Sequence, residues 1–219
     1  MHDTKKRLAV LISGRGSNMA ALLDACRQGH IHGEIVAVVS NKADAAGLDV
    51  AREAGIPALV VDHRSFANRE EFDAALFNEV MKFAPDFVVL AGFMRILTAA
   101  FVRPLAGKLI NIHPSLLPKY PGLDTHQRAI DAGDAEAGAT VHFVTEQLDG
   151  GPGIIHAKVP ILAGDSADDL ARRVLAQEHR IYTEAVRLLC SGQIAYDAAR
   201  GALCDGEVLP PSGLTYSER

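Results

Sequence analysis

The chain has 219 residues, 48% hydrophobic and 22% charged, which is enough apolar surface for one good-sized core. Its formal net charge is −5 with both signs interspersed, so a basic stripe for phosphate backbones is lacking and a nucleic-acid partner is disfavoured. Three scattered cysteines argue against a disulfide framework, and no apolar run approaches the ~20 residues of a membrane span. We therefore predict a cytoplasmic enzyme or binding protein for small molecules.

Short apolar runs alternate with helical patterns in the first half of the chain. Between the third and fourth runs, Asn68 and Glu71 are spaced as a capping pair for a helix. The runs are solidly apolar, as in strands buried on both faces. We predict an α/β fold, an open, mostly parallel twisted sheet with helices on both faces and a Rossmann-like N-terminal half. The five runs are RLAVLIS (7–13), IVAVVS (35–40), ALVVD (58–62), FVVLAG (87–92) and KLINIH (108–113).

The second half has a different pattern. Two further strand-like runs, ATVHFVT (139–145) and IIHAKVPI (154–161), are separated by the turn-forming DGGPG and predict strands that flank the sheet. A long helix is predicted from about Ser166 to Leu189. Residues 1–6 are predicted to be an N-terminal arm and about 206–219 a tail with little to bury, around a single domain spanning 1–219.

The first candidate site is SGRGSN (13–18), where the first strand turns into a helix. Gly16 lets the backbone approach an anion, and the N–H groups at the helix start, with Ser17 and Asn18, could bind a phosphate. A tight turn in which Ser17 or Asn18 merely caps the helix is the alternative. The stretch lacks the third glycine of G-x-G-x-x-G and has no G-K-[ST], so dinucleotide or triphosphate binding is disfavoured.

The second candidate is NIHPSLLPKYPG (111–122), which places Asn111 and His113 at the end of the fifth apolar run. Two residues apart on an extended chain, they point to the same side, beyond the carboxyl end of a strand, where α/β sheets bind ligands. An amide donor beside an imidazole suits acyl transfer, because it can stabilise a developing oxyanion while protons move. The alternative is a buried asparagine that ties down the turn and a histidine bonded to the backbone.

A third candidate is Asp149 in LDGGPG, in a loop that could fold over the same strand ends. A carboxylate desolvated beside His113 would suit proton transfer. The alternative is an Asx turn, since D-G is a common turn signal. A metal site at these residues is disfavoured because no third ligand stands at a recognisable spacing.

Taken together, these strings resemble the glycinamide ribonucleotide transformylase family of folate-dependent formyltransferases. The resemblance covers the chain from about residue 7 to the end of the long helix. It implies a formyltransferase-type fold and transfer of a formyl group from 10-formyltetrahydrofolate to the amine of glycinamide ribonucleotide in purine synthesis, without a metal. The strings that carry it are LISGRGSNM, SNKADAAGL, LAGFMRIL, NIHPSLLPKYPG, THQRAI, VHFVTEQLDGGP and QEHRIY.

The resemblance also implies roles for single residues. In the catalytic trio, Asn111 would donate to the tetrahedral oxyanion, His113 would stabilise it or pass a proton, and Asp149 would take up the amine proton through water. The ligand contacts that it implies are Gly16, Ser17, Asn18 and Glu178 for the ribonucleotide, and Met94, Arg95, Ile96, Leu97 and Val144 for the folate.

Two of these residues have a separate argument from the sequence. Glu178 follows Val174 by four residues and precedes Ile181 by three, so it lies on an apolar helix face where an unpaired carboxylate would be costly. Arg95 follows the fourth apolar run, which favours the site, although a solvated loop cation is the alternative.

Two positions depart from the family pattern. Asp124 stands where a histidine is expected and would alter the edge of the ribonucleotide pocket. Gly153 stands where a larger aliphatic residue is expected and would loosen the loop that bears Asp149.

Three competing functions remain to be separated. Methionyl-tRNA formyltransferase would need a tRNA-binding domain and a basic surface, which this chain of charge −5 does not offer. Formyltetrahydrofolate deformylase would be expected to carry an added N-terminal domain, whereas this sequence opens close to its first strand. A non-catalytic nucleotide-binding module would leave the trio idle. Within the preferred interpretation, we expect small-molecule substrates and a monomer or weak homodimer.

Overall fold

The computed structural model describes residues 4–217. The chain divides into two compact units, Met1–Ile110 and Asn111–Arg219, which are taken here in turn. That the whole chain forms a single domain therefore stays a prediction.

In the first unit, strands and helices alternate as the sequence predicted. Strand β1 pairs in parallel with both β2 and β4, and β2 pairs in parallel with β3, which gives the order β4-β1-β2-β3. Residues 8–12 of β1 are completely buried, in line with its solidly apolar sequence. The mostly parallel sheet and the Rossmann-like half are confirmed. The elements are β1 (Lys6–Ile12), α1 (Ser17–Arg27), β2 (Gly33–Ser40), α2 (Gly47–Glu53), β3 (Ala58–Val60), α3 (Arg69–Met81), β4 (Phe87–Leu90) and α4 (Ala99–Val102).

The predicted capping pair opens α3. The Asn68 side chain accepts a hydrogen bond from the Glu71 N–H at 2.8 Å, and the Glu71 carboxylate accepts one from the Ala67 N–H at 3.4 Å. The helix buries Phe72 and Leu76. Local sequence signals are sufficient here because the cap and the apolar face lie within one helix.

The neighbouring strands β1 and β4 are parallel, so their carboxyl ends meet at one edge of the sheet. There the Ser13 N–H donates to the Gly92 carbonyl oxygen at 3.0 Å. The loops that follow the two strands, 13–16 and 91–98, therefore leave the sheet side by side. In open α/β sheets this position is where ligands bind.

The second unit combines a strand layer with one long helix. Strand β5 runs across the boundary and contributes 111–113; β6 is antiparallel to β7, and β7 is parallel to β11, in the order β5-β6-β7-β11. A separate antiparallel sheet has the order β8-β9-β10, and α6 packs on β6 and β7. The elements are β5 (Leu109–His113), α5 (Thr125–Asp131), β6 (Glu136–Phe143), β7 (Gly153–Pro160), α6 (Ala167–Cys190), β8 (Ile194–Asp197), β9 (Gly201–Cys204), β10 (Glu207–Val208) and β11 (Leu214–Thr215).

Helix α6 confirms the predicted long helix, with Ser166 as its N-cap in a capping box with Asp169. Over residues 4–217, no helix is both long enough and apolar enough to cross a membrane.

The two chain ends differ from expectation. Lys6, predicted to lie in the arm, is the first residue of β1, while residues 1–3 lie outside the described residues. The segment 206–217 was predicted to be a tail with little to bury, and within it only Gly213 is buried, but it contains the short strands β10 and β11. Backbone hydrogen bonds to a sheet edge hold it in place, and such bonds leave little trace in the apolar pattern of a sequence.

Candidate active site

His113 and Asp149 form a buried pair in the second unit. His113 is the last residue of β5, and its Nδ1 lies 3.5 Å from Asp149 Oδ2. Their side chains are only 7% and 8% exposed. The loop between β6 and β7 therefore brings the predicted carboxylate to the predicted imidazole across 36 residues of sequence, as expected for a proton-transfer pair.

The proline-rich turn after β5 orients this pair. The Tyr120 carbonyl oxygen lies 2.8 Å from His113 Nε2, and a carbonyl can only accept, so Nε2 carries a hydrogen. In neutral His113, Nδ1 then carries no hydrogen, and its lone pair faces Asp149. The Gly122 N–H donates to Asp149 Oδ2 at 2.8 Å. One additional proton can thus be held between Nδ1 and Oδ2.

Asn111 is oriented by His142, a residue that the sequence argument missed. His142 Nδ1 lies 2.9 Å from the Phe143 carbonyl oxygen, so Nδ1–H donates and Nε2 is left to accept. The Asn111 Nδ2 amide lies 3.3 Å from that Nε2 and donates to it. One N–H of the Asn111 amide is used in this bond, and the second has no partner among the described residues.

The environment keeps His142 neutral. Burial lowers the pKa of His142 below its usual value, against the opposing effect of its backbone hydrogen bond and of the Asp149 carboxylate. Its Nε2 is 3.8 Å from Asp149 Oδ1, so His142 lies close to both Asn111 and Asp149. The one signal in the sequence was a histidine inside the otherwise apolar strand ATVHFV.

A further histidine, His126 in α5, lies near the pair. Burial, and then the charge of His113, lower the pKa of His126. Its Nδ1 is buried without a hydrogen-bond partner among the described residues. Sequence reasoning did not single it out, because a histidine in a short helix has no distinguishing spacing.

In the first unit, the glycine-rich loop is shaped by its backbone. Gly16 is the N-cap residue of α1 at φ 72°, a left-handed conformation that favours glycine. A Cβ on Gly16 would lie 3.0 Å from the Gly47 Cα at the start of α2. Gly16, which has no side chain, occupies the N-cap position of α1, so Ser17 and Asn18 lie in the first turn of the helix and not at the cap position. Phosphate binding by this loop stays a prediction.

The segment 94–97 adjoins this loop within the first unit. The Met94 N–H donates to Ser13 Oγ at 2.8 Å, and the Ser13 hydroxyl donates to Asn41 Oδ1 at 2.5 Å. Met94 and Ile96 are 66% and 52% exposed although apolar. A fixed backbone that exposes apolar side chains is suited to line a pocket for an aromatic ligand.

Arg95 and its neighbours complete the segment. The Arg95 guanidinium lies 5.7 Å from the centre of the Phe72 ring, a cation–π contact that holds this cation against α3. The Thr98 N–H donates to the buried Asp73 carboxylate at 2.5 Å. Leu97 between them is half-buried.

Glu178 and Val144 lie in the second unit. Glu178 is buried on the apolar face of α6 with Val174 and Ile181, as the spacing predicted. Burial, and then the Glu178 carboxylate, raise the pKa of Tyr182 well above its usual value. Val144 directly follows β6 and is half-buried. The contacts of Glu178 with the ribonucleotide and of Val144 with the folate stay predictions.

The two departures from the family pattern have different surroundings. Asp124 is exposed and is the N-cap residue of α5 at φ 57°. Gly153 is buried, and a Cβ there would lie 2.5 Å from the Ser212 carbonyl carbon. We expected Gly153 to loosen the Asp149 loop, but its contacts indicate the opposite. Because Gly153 has no side chain, the backbone of Ser212 can pack directly against it.

Within the described part of the chain, no group of three or more histidine, cysteine, aspartate or glutamate side chains is placed to hold a metal ion. That the chain works without a metal stays a prediction.

Comparison with known proteins identifies the family. A sequence model of the formyl transferase family matches residues 6–186. The chain is 53% identical to phosphoribosylglycinamide formyltransferase of Escherichia coli (strain K12) over 211 residues, 96% of this chain and 99% of that protein. It is 46% identical to the human trifunctional purine biosynthetic protein adenosine-3 over 200 residues, 91% of this chain but 20% of that protein.

Comparison with solved structures points to the same family. The phosphoribosylglycinamide formyltransferase of Coxiella burnetii, in complex with CHES, has a TM-score of 0.92 at 43% identity and covers 97% of this chain and 100% of its own. Glycinamide ribonucleotide transformylase 1 of Symbiobacterium toebii has a TM-score of 0.89 at 45% identity, covering 94% of this chain and 96% of its own. The chain therefore belongs to the formyl transferase family, as its motifs predicted.

Proposed function

We propose that this chain transfers a formyl group from 10-formyltetrahydrofolate to the amine of glycinamide ribonucleotide (5'-phosphoribosylglycinamide) in de novo purine synthesis. The observation that carries the proposal is the buried pair of His113 and Asp149, which can hold a proton, together with the half-buried Asn111, whose amide has one hydrogen left for a ligand. The 53% identity to a phosphoribosylglycinamide formyltransferase supports the choice of substrates.

In this reaction the amine nitrogen attacks the formyl carbon, a C–N bond forms, and the carbonyl electron pair moves onto oxygen. The second N–H of the Asn111 amide donates to that oxygen, because the first is bonded to His142. His142 fixes the direction of the amide before the substrate arrives, so little reorganisation is required during the reaction.

The attacking amine must lose a proton, and the nitrogen of the folate must gain one when the C–N bond to the formyl carbon breaks. The pair formed by His113 and Asp149 takes the first proton and returns one to the leaving nitrogen, directly or through water. The Tyr120 carbonyl oxygen keeps the His113 hydrogen on Nε2, so that Nδ1 remains the exchanging atom.

Substrate recognition follows from the remaining predicted residues. In this proposal the backbone of the glycine-rich loop binds the phosphate and the exposed apolar segment of the first unit contacts the folate. We propose a cytoplasmic enzyme that acts as a monomer or weak homodimer. The contacts are Gly16, Ser17, Asn18 and Glu178 for the ribonucleotide, and Met94, Arg95, Ile96, Leu97 and Val144 for the folate.

A transfer assay tests the proposal. Purified protein is mixed with 10-formyltetrahydrofolate and glycinamide ribonucleotide, and the formylated amide is measured with and without the amine substrate. Release of formate without the amine would favour a deformylase, and binding without either product would favour a non-catalytic nucleotide-binding module. Asp149→Asn should lower the rate of transfer by up to about 10⁴-fold, whereas Asp131→Asn on the exposed face of α5 should leave it unchanged.

A further inference from the structure

The last described residues of the chain lie along the strand that follows the Asp149 loop. We call residues 209–217 the C-terminal strap. Within it, β11 pairs in parallel with β7, with Leu214 opposite Ile155. The Gly153 N–H donates to the Pro211 carbonyl oxygen at 2.9 Å. The strap therefore bonds to the first residue of β7, at the downstream end of the loop.

Two glycines bring the strap and β7 into backbone contact. A Cβ on Gly153 would lie 2.5 Å from the Ser212 carbonyl carbon, and a Cβ on Gly213 would lie 2.3 Å from the Ile154 carbonyl carbon. Real Cβ atoms do not approach backbone this closely, so any side chain at either position would push the two segments apart. The contact requires glycine on both sides.

A buried histidine holds the strap from the side. His156 in β7 donates through Nδ1 to the Ser212 carbonyl oxygen at 3.1 Å, and its Nε2 lies 3.4 Å from the Thr215 hydroxyl. The Tyr216 N–H donates to the His156 carbonyl oxygen at 2.8 Å. His156 is 8% exposed, and among the described residues both polar contacts of its side chain are with the strap, which holds the strap in one position on β7.

Only three residues, 150–152, separate Asp149 from Gly153, and they are held on their other side by β6. The Phe143 N–H donates to the Pro152 carbonyl oxygen at 3.0 Å. A Cβ on Gly151 would lie 1.8 Å from the Phe143 carbonyl oxygen. Because this segment is short and its backbone packs directly against the backbone of β6, it has little freedom to adjust. A displacement of Gly153 would therefore also displace Asp149.

We propose that the C-terminal strap is a positioning element of the catalytic site, which fixes Gly153 and thereby holds the Asp149 carboxylate against His113. This inference rests on the proposed function. Gly153, Gly213 and His156 act through Asp149 and do not contact the substrates. The strap thus gives 209–217 a role in the rate of formyl transfer.

The test compares two glycines that share a left-handed backbone. Gly213 has φ 76° and Gly206 has φ 86°, so an alanine carries a similar backbone strain at both, but a Cβ at Gly206 meets nothing within 4 Å. Gly213→Ala should lower kcat by about 10- to 100-fold, the effect of a displacement of about 1 Å at a reacting group, with KM for both substrates nearly unchanged. Gly206→Ala should keep the wild-type kcat, and equal kcat values for the two variants would overturn the proposal.

A double-mutant cycle separates positioning from loss of folded protein. If the strap acts through Asp149, Gly213→Ala should cause no further loss of the residual rate in an Asp149→Asn background. A purely structural role would lower the rate by the same factor in both backgrounds, and this result would refute the inference. Should Gly213→Ala fail to fold, His156→Leu provides the same cycle, because it removes the two side-chain bonds to the strap without adding an atom at the glycine contacts.

Hydrogen exchange tests the inference independently of the reaction. Amides of 150–153 should exchange faster in Gly213→Ala than in Gly206→Ala, since the Gly153 N–H loses its acceptor. Unchanged exchange would show that the strap does not hold the loop. Absence of formyl transfer by the wild-type chain would instead refute the proposed function, and the exchange result would still decide whether the strap fixes the loop.

Discussion

The glycine-rich loop of the first unit and the proposed catalytic trio of the second, Asn111, His113 and Asp149, are organised in opposite ways. The loop depends on its backbone, with Gly16 in a left-handed conformation and little room for a side chain beside Gly47. The trio depends on side chains whose bonds are fixed by neighbours: a turn carbonyl for His113, a backbone amide for Asp149 and His142 for Asn111. Substitution in the loop should therefore change binding, and substitution in the trio should change the chemical step.

The largest effect is expected at Asp149. Asp149→Asn keeps the shape of the side chain but removes the proposed acceptor of the amine proton, so kcat should fall by up to about 10⁴-fold. Both substrates should still bind, as measured by calorimetry. Near-normal turnover would show that this aspartate is a turn residue. It would also contradict the assignment of the chemical step to the trio and of binding to the glycine-rich loop.

A smaller loss of turnover is expected at Asn111. Asn111→Ala removes the proposed oxyanion donor, and losses of about 100- to 1,000-fold in kcat are typical of such a change. Folate affinity, measured by fluorescence titration, should fall much less. Asn78→Ala on the exposed face of α3 is the control and should have wild-type kinetics. A normal rate in Asn111→Ala would remove this amide from the mechanism.

Substitution in the glycine-rich loop should change KM for one substrate rather than kcat. Gly16→Val would place side-chain atoms against Gly47 and keep the backbone from a phosphate, so KM for the ribonucleotide should rise by at least about tenfold while KM for formylfolate stays nearly constant. Gly29→Val is the matched control, since Gly29 has φ 76° and open space around it. Equal weakening of both substrates would indicate misfolding of the first unit instead.

The buried histidine of the trio region should make stability depend on pH. Burial lowers the pKa of His142 from 6.5, so between the native pKa and 6.5 the unfolded chain binds more protons than the folded one. The free energy of unfolding should therefore fall as pH drops below 6.5, by at most about 1.4 kcal/mol per pH unit for this residue.

Urea unfolding at pH 7.5, 6.5 and 5.5 is expected to show this slope, and His142→Gln should reduce it. A part should remain, because burial also lowers the pKa of His126 and His179. An unchanged slope in His142→Gln would mean that His142 does not exclude the proton as its surroundings indicate.

Local patterns alone predicted the strands of the first unit, the capped helix α3 and the long helix α6, because apolar period and capping chemistry act over a few residues. Sequence reasoning also placed Asn111 and His113 at a strand end, and Asp149 in a loop able to reach them. Each of these residues taken singly was equally consistent with an ordinary turn. The catalytic interpretation became preferred only when the order of several motifs was considered together.

The sequence by itself determined the fold class and the family, because the residues that indicate them form contiguous motifs. It also predicted the members of the catalytic trio. Only the tertiary structure decided that His142 orients Asn111, because that bond joins residues 31 positions apart through the packing of two strands. It also decided that the C-terminal segment is a strap on β7. The contact there is between backbones at Gly153 and Gly213, and a backbone hydrogen bond depends on where the chain lies more than on which side chain it carries.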